Sequence, residues 1–197
     1  ELCVDGNLLI RRTAADPVIL GPTDALAFPG DWSGVVVHGT ADIRHARIRW
    51  AQQGVTCESV GAPVVCRIED TEILDSEANG LYVVAEDADD VGVVLARSQV
   101  RRSGSYGVHV EGRDASRTAL SMTASAVTDN DASGVYLLAN GSAGDPTLDA
   151  EITDTEIGAN VGYGLQAETT WGATSILEIQ GNLIEDTTVG DGIYIRN

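Results

Sequence analysis

The chain has 197 residues, of which 43% are hydrophobic, and its 30 acidic and 12 basic residues give a formal net charge of −18 at pH 7. This charge argues against a nucleic-acid partner, because nucleic-acid binding needs a basic surface. It also disfavours bare polyuronates unless a cation such as Ca²⁺ bridges the like charges. The sequence has no apolar run of about 18 residues, which argues against insertion into a membrane.

The first 30 residues lack a clear repeat, and we expect residues 1–30 to lead into and cap a coil that occupies residues 31–197. No amphipathic capping helix is apparent at the start, and the chain stops at Asn197 directly after a predicted strand. A coil with open ends tends to stack on its neighbours. We therefore expect the sequence to be a fragment of a longer protein.

A glycine followed by alternating apolar residues recurs every 20 to 30 residues, at Gly34, Gly54, Gly80, Gly107, Gly134, Gly164 and Gly192. The alternation predicts a short, half-buried strand after each glycine. A run such as Ile68-x-x-Thr71-x-Ile73 precedes each glycine and predicts a strand with a bend. A repeat of this length indicates a solenoid. The glycine supplies either a positive φ or room at the corner.

A small polar residue stands four positions before most of these glycines, at Ser76, Ser103, Asn130, Asn160 and Thr188. Stacked in successive coils, such side chains can hydrogen-bond along a corner and satisfy backbone groups that no sheet covers.

Over about residues 30–197, these two runs resemble the repeat of the right-handed parallel β-helix proteins. That repeat reads Ile-x-x-Asn/Ser-x-Ile and then Asn-x-x-x-Gly-Ile-x-Val. The resemblance implies an all-β, single-stranded solenoid of the pectate-lyase-like type with about seven coils. Such domains occur in large bacterial surface and secreted proteins, so we expect a secreted or cell-surface location. The family includes polysaccharide lyases, hydrolases, epimerases, phage tailspikes, adhesins and scaffolds, and the fold alone does not choose among them.

In this fold equivalent residues of successive coils stack about 4.8 Å apart. The second residue after each glycine points outward, and from the third coil these residues read Tyr82, His109, Tyr136, Gln166 and Tyr194. Aromatic faces with hydrogen-bonding edges suit sugar rings. The leading hypothesis is therefore a non-catalytic module that binds glycan or another extended partner along this ladder. The alternative is that tyrosine is simply a good strand residue.

An enzyme is the competing hypothesis. Glu111 and Glu168 lie two rungs apart, near the upper limit of the carboxylate separation in inverting glycosidases, and His109 stands beside Glu111. Lyases of the family that the chain resembles can use an arginine base with calcium-binding aspartates, and Arg102 is the candidate for that base here.

A third hypothesis is a structural spacer or scaffold that self-associates end to end.

Acidic loops make Ca²⁺ a candidate cofactor, with candidate ligands Glu86, Asp87, Asp89, Asp90, Asp129 and Asp131. None of these runs matches a full calcium-loop motif, and solvated acidic loops are the alternative.

The three cysteines are Cys3, Cys57 and Cys66. Cys57 and Cys66 both fall on the inward side of predicted strands, which leaves a disulfide or two buried free thiols as alternatives. Cys3 is unpaired in either case. The lack of a Cys-x-x-Cys pair argues against a zinc or redox motif.

Overall fold

The chain consists of short strands joined by corners. Along the strands, side chains alternate between a buried face and a more exposed face. The computed structural model describes residues 1–24, 26–86, 89–142, 144–185 and 187–197. These residues form 22 strands, numbered β1–β22 in chain order, which are arranged in three sheets.

Sheet A contains the strands that follow the repeating glycines, preceded by one strand from the start of the chain. Its members are β1 (Leu2–Val4), β4 (Val35–Val37), β7 (Val55–Glu58), β10 (Leu81–Ala85), β13 (Val108–Arg113), β16 (Val135–Asn140), β19 (Leu165–Thr170) and β22 (Ile193–Arg196).

Sheets B and C are formed by the bent strand of the repeat, which is two strands rather than one. Sheet B contains β2 (Asn7–Arg11), β5 (Thr40–Arg44), β8 (Val64–Glu69), β11 (Asp90–Ala96), β14 (Arg117–Thr123), β17 (Thr147–Thr153) and β20 (Thr174–Gln180). Sheet C contains β3 (Val18–Leu20), β6 (Ala46–Arg49), β9 (Glu72–Leu74), β12 (Gln99–Arg101), β15 (Ala126–Thr128), β18 (Glu156–Gly158) and β21 (Leu183–Glu185).

Each strand pairs in parallel with its equivalents in the coils before and after it, as in the registers Tyr82↔His109 and Val93↔Cys66. The sheets hold eight, seven and seven strands. The predicted all-β parallel solenoid is therefore confirmed. Residues 2–20 already contribute one strand to each sheet. In the described residues no helix is long and apolar enough to cross a membrane.

The bend between sheets B and C is made by single residues in the left-handed region. His45, Asp70, Arg97, Ala124 and Asp154 have φ values between 48° and 52°. A second left-handed column ends the strands of sheet C, at Trp50, Asp75, Arg102, Asp129 and Ala159. One such residue re-aims the backbone from one sheet to the next, at a cost of about 1–3 kcal/mol for a residue with a side chain.

Stacked aliphatic side chains fill the interior. One column of fully buried residues reads Ile43, Ile68, Leu95, Met122 and Ile152. Cys57 of β7 and Cys66 of β8 also point inward, and a disulfide joins them with their Cα atoms 6.6 Å apart. The bond ties a strand of sheet A to a strand of sheet B within one coil.

The repeating glycines supply room at the corner. A Cβ atom on Gly80 would lie 2.8 Å from the carbonyl oxygen of Gly107 and 2.2 Å from Val100 Cγ1. Among the repeat glycines, only Gly34 has a positive φ, of 103°. Close approach of the next coil therefore explains the glycine at Gly54, Gly80, Gly107, Gly134 and Gly164, whereas a Cβ on Gly192 would meet no atom closer than 3.6 Å.

The predicted corner ladder is confirmed at its asparagines. Asn130 Oδ1 accepts a hydrogen bond from the backbone N–H of Ser103 at 3.0 Å, and Asn160 Oδ1 accepts one from the backbone N–H of Asn130 at 3.0 Å. The shorter Ser76 and Ser103 side chains leave their buried hydroxyl oxygens without a partner among the described residues.

Candidate functional site

The outer face of sheet A carries two neighbouring columns of side chains directed away from the core. The first outer column reads Cys3, Val36, Thr56, Tyr82, His109, Tyr136, Gln166 and Tyr194. The second outer column contains Glu58, Val84, Glu111, Leu138, Glu168 and Arg196. The structure thus places the predicted Tyr/His ladder in one column, in the predicted register.

Four rings of this face form an aromatic cluster, defined here as Tyr82, Tyr106, His109 and Tyr136. The ring centroid of His109 lies 5.0 Å from that of Tyr82 and 4.9 Å from that of Tyr136. Tyr106 stacks on Tyr136 with centroids 4.7 Å apart and planes 26° apart. These separations match the rung spacing, so the rings contact one another along the coil axis.

Tyr106 was missed by the sequence analysis because it lies in a corner and not in a strand. It immediately precedes Gly107, and Tyr163 holds the same place before Gly164. Tyr163 stacks on Tyr194 of the following coil, with ring centroids 4.7 Å apart and planes 19° apart. A tyrosine directly before the repeat glycine was the signal that could have predicted both contacts.

The stacking changes what the ladder offers to a ligand. The ring faces, which we expected to meet sugar rings, are turned towards neighbouring rings. Tyr106, Tyr136, Tyr163 and Tyr194 make no hydroxyl hydrogen bond to the described residues. None of those hydroxyl oxygens is among the fully buried unpartnered atoms of the described chain, so each keeps some access to solvent. Ring edges and hydroxyl groups are therefore the free surface.

His109 is enclosed by the tyrosines of the cluster. Its Nε2 atom is buried and has no hydrogen-bond partner among the described residues. Burial lowers the pKa of His109 to about 4; Glu111 raises this pKa and Arg113 lowers it further. The imidazole is therefore neutral at pH 7, which suits ring packing better than general-acid chemistry.

Glu111 forms an ion pair that occupies both of its carboxylate oxygens. Arg113 donates from Nε at 2.8 Å and from Nη2 at 2.9 Å. The Tyr82 hydroxyl lies 3.4 Å from Glu111 Oε2, and burial, with a smaller effect of this carboxylate, raises the pKa of Tyr82 to about 12. Arg113 also pairs with Glu86. To act as a general acid, Glu111 would have to be protonated, and protonation would break its ion pair with Arg113.

Glu168 has its own arginine and is not brought to Glu111. Arg196 Nη2 lies 2.5 Å from Glu168 Oε2, and Gln166 Nε2 donates to Glu168 Oε1 at 3.0 Å. Leu138 stands between the two glutamates in the second outer column. Glu111 and Glu168 therefore belong to separate ion pairs and do not form a pair of facing acids.

Arg102, the candidate lyase base, lies at the corner after β12. Asp75 accepts from Arg102 Nε at 2.6 Å and from Nη2 at 2.9 Å. These hydrogen bonds raise the pKa of Arg102, whereas a base needs a lowered pKa. Asp129 of the next coil accepts from its neighbour, the Thr128 hydroxyl, at 3.0 Å.

The acidic loops do not gather metal ligands in the described part of the chain. Glu86 pairs with Arg113, Asp89 has one buried carboxylate oxygen without a partner, and Asp90 begins β11. Asp129 and Asp131 are exposed. Asp87 lies outside the described residues. Calcium binding at these loops stays a prediction.

One group with mixed donors does converge, at the first rungs of the outer face of sheet A. Potential ligand atoms of Cys3, Asp5 and His38 all lie within 4.8 Å of one another. The spacing of the sequence gives no signal for this group, because His38 is 35 residues from Cys3 and follows the end of β4.

A depression of about 370 Å³ lies on the outer face of sheet B. Gly92 and Ala119 leave room there between the exposed side chains of Val65 and Ile176. Its lining is mainly apolar, with Asp149 at one side. Because a row of hydroxyl groups with adjacent ion pairs offers more specific contacts, we place the candidate site on sheet A.

Residues 53–197 match the family model described as a right handed beta helix region. This stretch includes the whole aromatic cluster and both ion pairs of the second outer column. No curated protein and no solved structure matches the chain.

Proposed function

We propose that this chain, which belongs to the right-handed β-helix family, is a non-catalytic module that binds an extended polysaccharide on the outer face of sheet A. The observation that carries the proposal is the row of solvent-facing tyrosine hydroxyls. They belong to Tyr106, Tyr136, Tyr163 and Tyr194, and Gln166 lies between the two stacked groups.

Hydroxyl groups at ring edges complement the hydroxyl rims of sugars, and the C–H edges beside them offer apolar contact. The stacked rings restrict each other's rotation. A surface that is already ordered loses less side-chain entropy when a ligand binds. A linear polymer that runs along the coil axis can repeat the same contact at successive rungs, about 4.8 Å apart.

The charges favour a neutral glycan. Arg113 neutralises Glu111 and Arg196 neutralises Glu168 within the second outer column. The net charge of −18 still repels a polyanion at longer range. We therefore expect neutral polysaccharides to bind better than polyuronates, and Ca²⁺ to improve the binding of polyuronates alone.

The non-catalytic assignment is supported by the ion pairs that engage Glu111, Glu168 and Arg102. The secreted or cell-surface location is supported by the disulfide between Cys57 and Cys66, because such bonds persist in oxidising compartments.

Affinity gel electrophoresis through neutral and acidic polysaccharides, with Ca²⁺ or with chelator, tests the proposal. The wild type should be retarded in at least one neutral glycan. Tyr106→Phe combined with Tyr136→Phe keeps the rings and removes two hydroxyls. We expect its affinity to fall about tenfold or more, since each hydrogen bond is worth about 1 kcal/mol.

Glu151→Gln, which alters the outer face of sheet B, is the matched control and should leave retardation unchanged. Unretarded migration in every gel, or equal retardation of the double tyrosine variant, would overturn the proposal. Release of reducing ends or of unsaturated products from a retained glycan would contradict the non-catalytic assignment.

A further inference from the structure

We propose that Cys3, Asp5 and His38 bind a zinc ion at the first rungs of the outer face of sheet A. The inference is independent of glycan binding, since none of these residues belongs to the tyrosine groups.

The strand geometry brings the three donors together. Cys3 lies in β1, and Asp5 follows directly after the end of that strand. Ligand atoms of both side chains lie within 4.8 Å of each other. The parallel register Val4↔Val37 puts His38 beside Asp5 on the adjacent rung, where the His38 N–H donates to Val4 O at 2.9 Å. The backbone therefore already holds the three side chains next to one another.

The interatomic distances fit ligands around one small ion. His38 Nδ1 lies 3.9 Å from Cys3 Sγ and 2.8 Å from Asp5 Oδ1. Ligand atoms about 2.0–2.3 Å from a tetrahedral zinc ion lie about 3.3–3.8 Å from each other. The Cys3–His38 pair is already near this spacing, and the His38–Asp5 pair has to open by only about 0.5 Å.

Glu58 stands where an orienting carboxylate is expected. Its Oε2 atom lies 3.7 Å from His38 Nε2, on the side of the ring away from Cys3 and Asp5. A histidine that binds metal through one nitrogen commonly donates the other N–H to a carboxylate, which fixes the tautomer and the ring orientation. Glu58 is in this sense a positioning residue.

The donor set selects the metal. Thiolate and imidazole suit Zn²⁺, whereas Ca²⁺ and Mg²⁺ prefer oxygen ligands. Three protein ligands leave one tetrahedral position for water. Asp5 and Glu58 place two carboxylates around His38, whose negative charge a divalent cation would balance.

Cobalt titration of the whole chain is the direct test, because Co²⁺ reports thiolate ligation by its charge-transfer absorption. We expect one equivalent to bind, Zn²⁺ to displace it, and Cys3→Ser to remove the charge-transfer band. His38→Ala should abolish saturable binding. Glu58→Gln should weaken it about tenfold or more. His45→Ala, at a corner between sheets B and C, is the control and should bind as the wild type does.

A second readout needs no variant. Cys3 is the free cysteine of the three, so the alkylation rate of the folded protein reports on its thiol alone. Zinc should slow alkylation and a chelator should restore it, with mass spectrometry verifying that the other two cysteines stay bonded. Cobalt binding without a charge-transfer band, equal affinity in Cys3→Ser, or alkylation unaffected by zinc would overturn the site. These measurements contain no glycan, so their outcome is separate from that of the gel experiment.

Discussion

At the scale of single residues, His109 is the ring on which the aromatic cluster centres. It contacts the rings of Tyr82, Tyr106 and Tyr136, and its Nε2 atom is buried without a partner in the described chain. Placing a charge there would cost desolvation that nearby Glu111 only partly offsets, because Arg113 already neutralises this carboxylate. The cluster is thus built around a neutral imidazole.

The buried, neutral imidazole of His109 predicts that the free energy of unfolding depends on pH. The pKa of His109 is about 4 in the folded chain against 6.5 for an ordinary histidine. Between these values the unfolded chain binds a proton that the folded chain does not bind. The free energy of unfolding should therefore fall as pH drops from 6.5 to 4, by up to about 3 kcal/mol from this residue.

Urea denaturation at pH 7, 5.5 and 4.5 measures the effect. Carboxylates also titrate in this window, so the informative quantity is the difference between the wild type and His109→Gln, which should shrink as pH falls. His45→Gln lies outside the cluster and should keep the wild-type pH dependence. A difference between wild type and His109→Gln that does not change with pH would contradict the buried neutral imidazole.

At the scale of the elements, the corners depend on side chains that replace missing sheet partners. Asn160 is fully buried and makes three hydrogen bonds, two of them to backbone groups. Its Oδ1 accepts from the Asn130 backbone N–H at 3.0 Å and from Asn130 Nδ2 at 2.9 Å, and its Nδ2 donates to Val127 O at 3.1 Å. One side chain thus satisfies two backbone groups of the preceding coil, next to β15.

Asn160→Ala should therefore be strongly destabilising. It leaves a buried N–H and a buried carbonyl without partners, and each such group costs about 1–3 kcal/mol. We expect the free energy of unfolding to fall by about 2–4 kcal/mol in denaturant titration. Asn140→Ala is the control, because Asn140 is half-buried and accepts one long contact of 3.4 Å from Thr170 Oγ1. Similar losses in the two variants would contradict the role of the ladder.

The same elements show what the sequence could predict. Inside strands, side-chain direction follows strict alternation and the rung spacing is fixed, so the column from Tyr82 to Tyr194 followed from aligning the glycines. Corners obey no such rule. Tyr106 contacts the ladder from a corner, where strand alternation does not apply. Cys3 lies near His38, but its coil lacks the repeat glycine from which the register was aligned. The sequence pattern did not predict that the aromatic rings of neighbouring coils face each other, although a spacing of about 4.8 Å between rungs favours this packing.

At the scale of the whole molecule, the solenoid is held by contacts between neighbouring coils. Each strand inside a sheet pairs with equivalents one coil before and one coil after it, as β10 does with β7 and β13. Stability in such a structure is close to a sum of coil terms and interface terms, and a local weakness spreads only to adjoining coils. The disulfide between β7 and β8 offers a way to test this, because it acts within one coil.

Replacing both bonded cysteines, as Cys57→Ala with Cys66→Ala, should destabilise that coil by about 2–3 kcal/mol, the loss expected for a loop with a sequence separation of 9 residues. Hydrogen exchange of the native protein, resolved by peptide, should speed up in β7 and β8 and less in the flanking β4, β5, β10 and β11. Exchange in β17 and β20, which lie three or more coils away, should stay at the wild-type rate. Selective reduction of the wild-type bond gives the same comparison without changing a side chain. Faster exchange of equal size in every coil would instead mean that the solenoid opens as one cooperative unit, and that the coils do not carry separate stabilities.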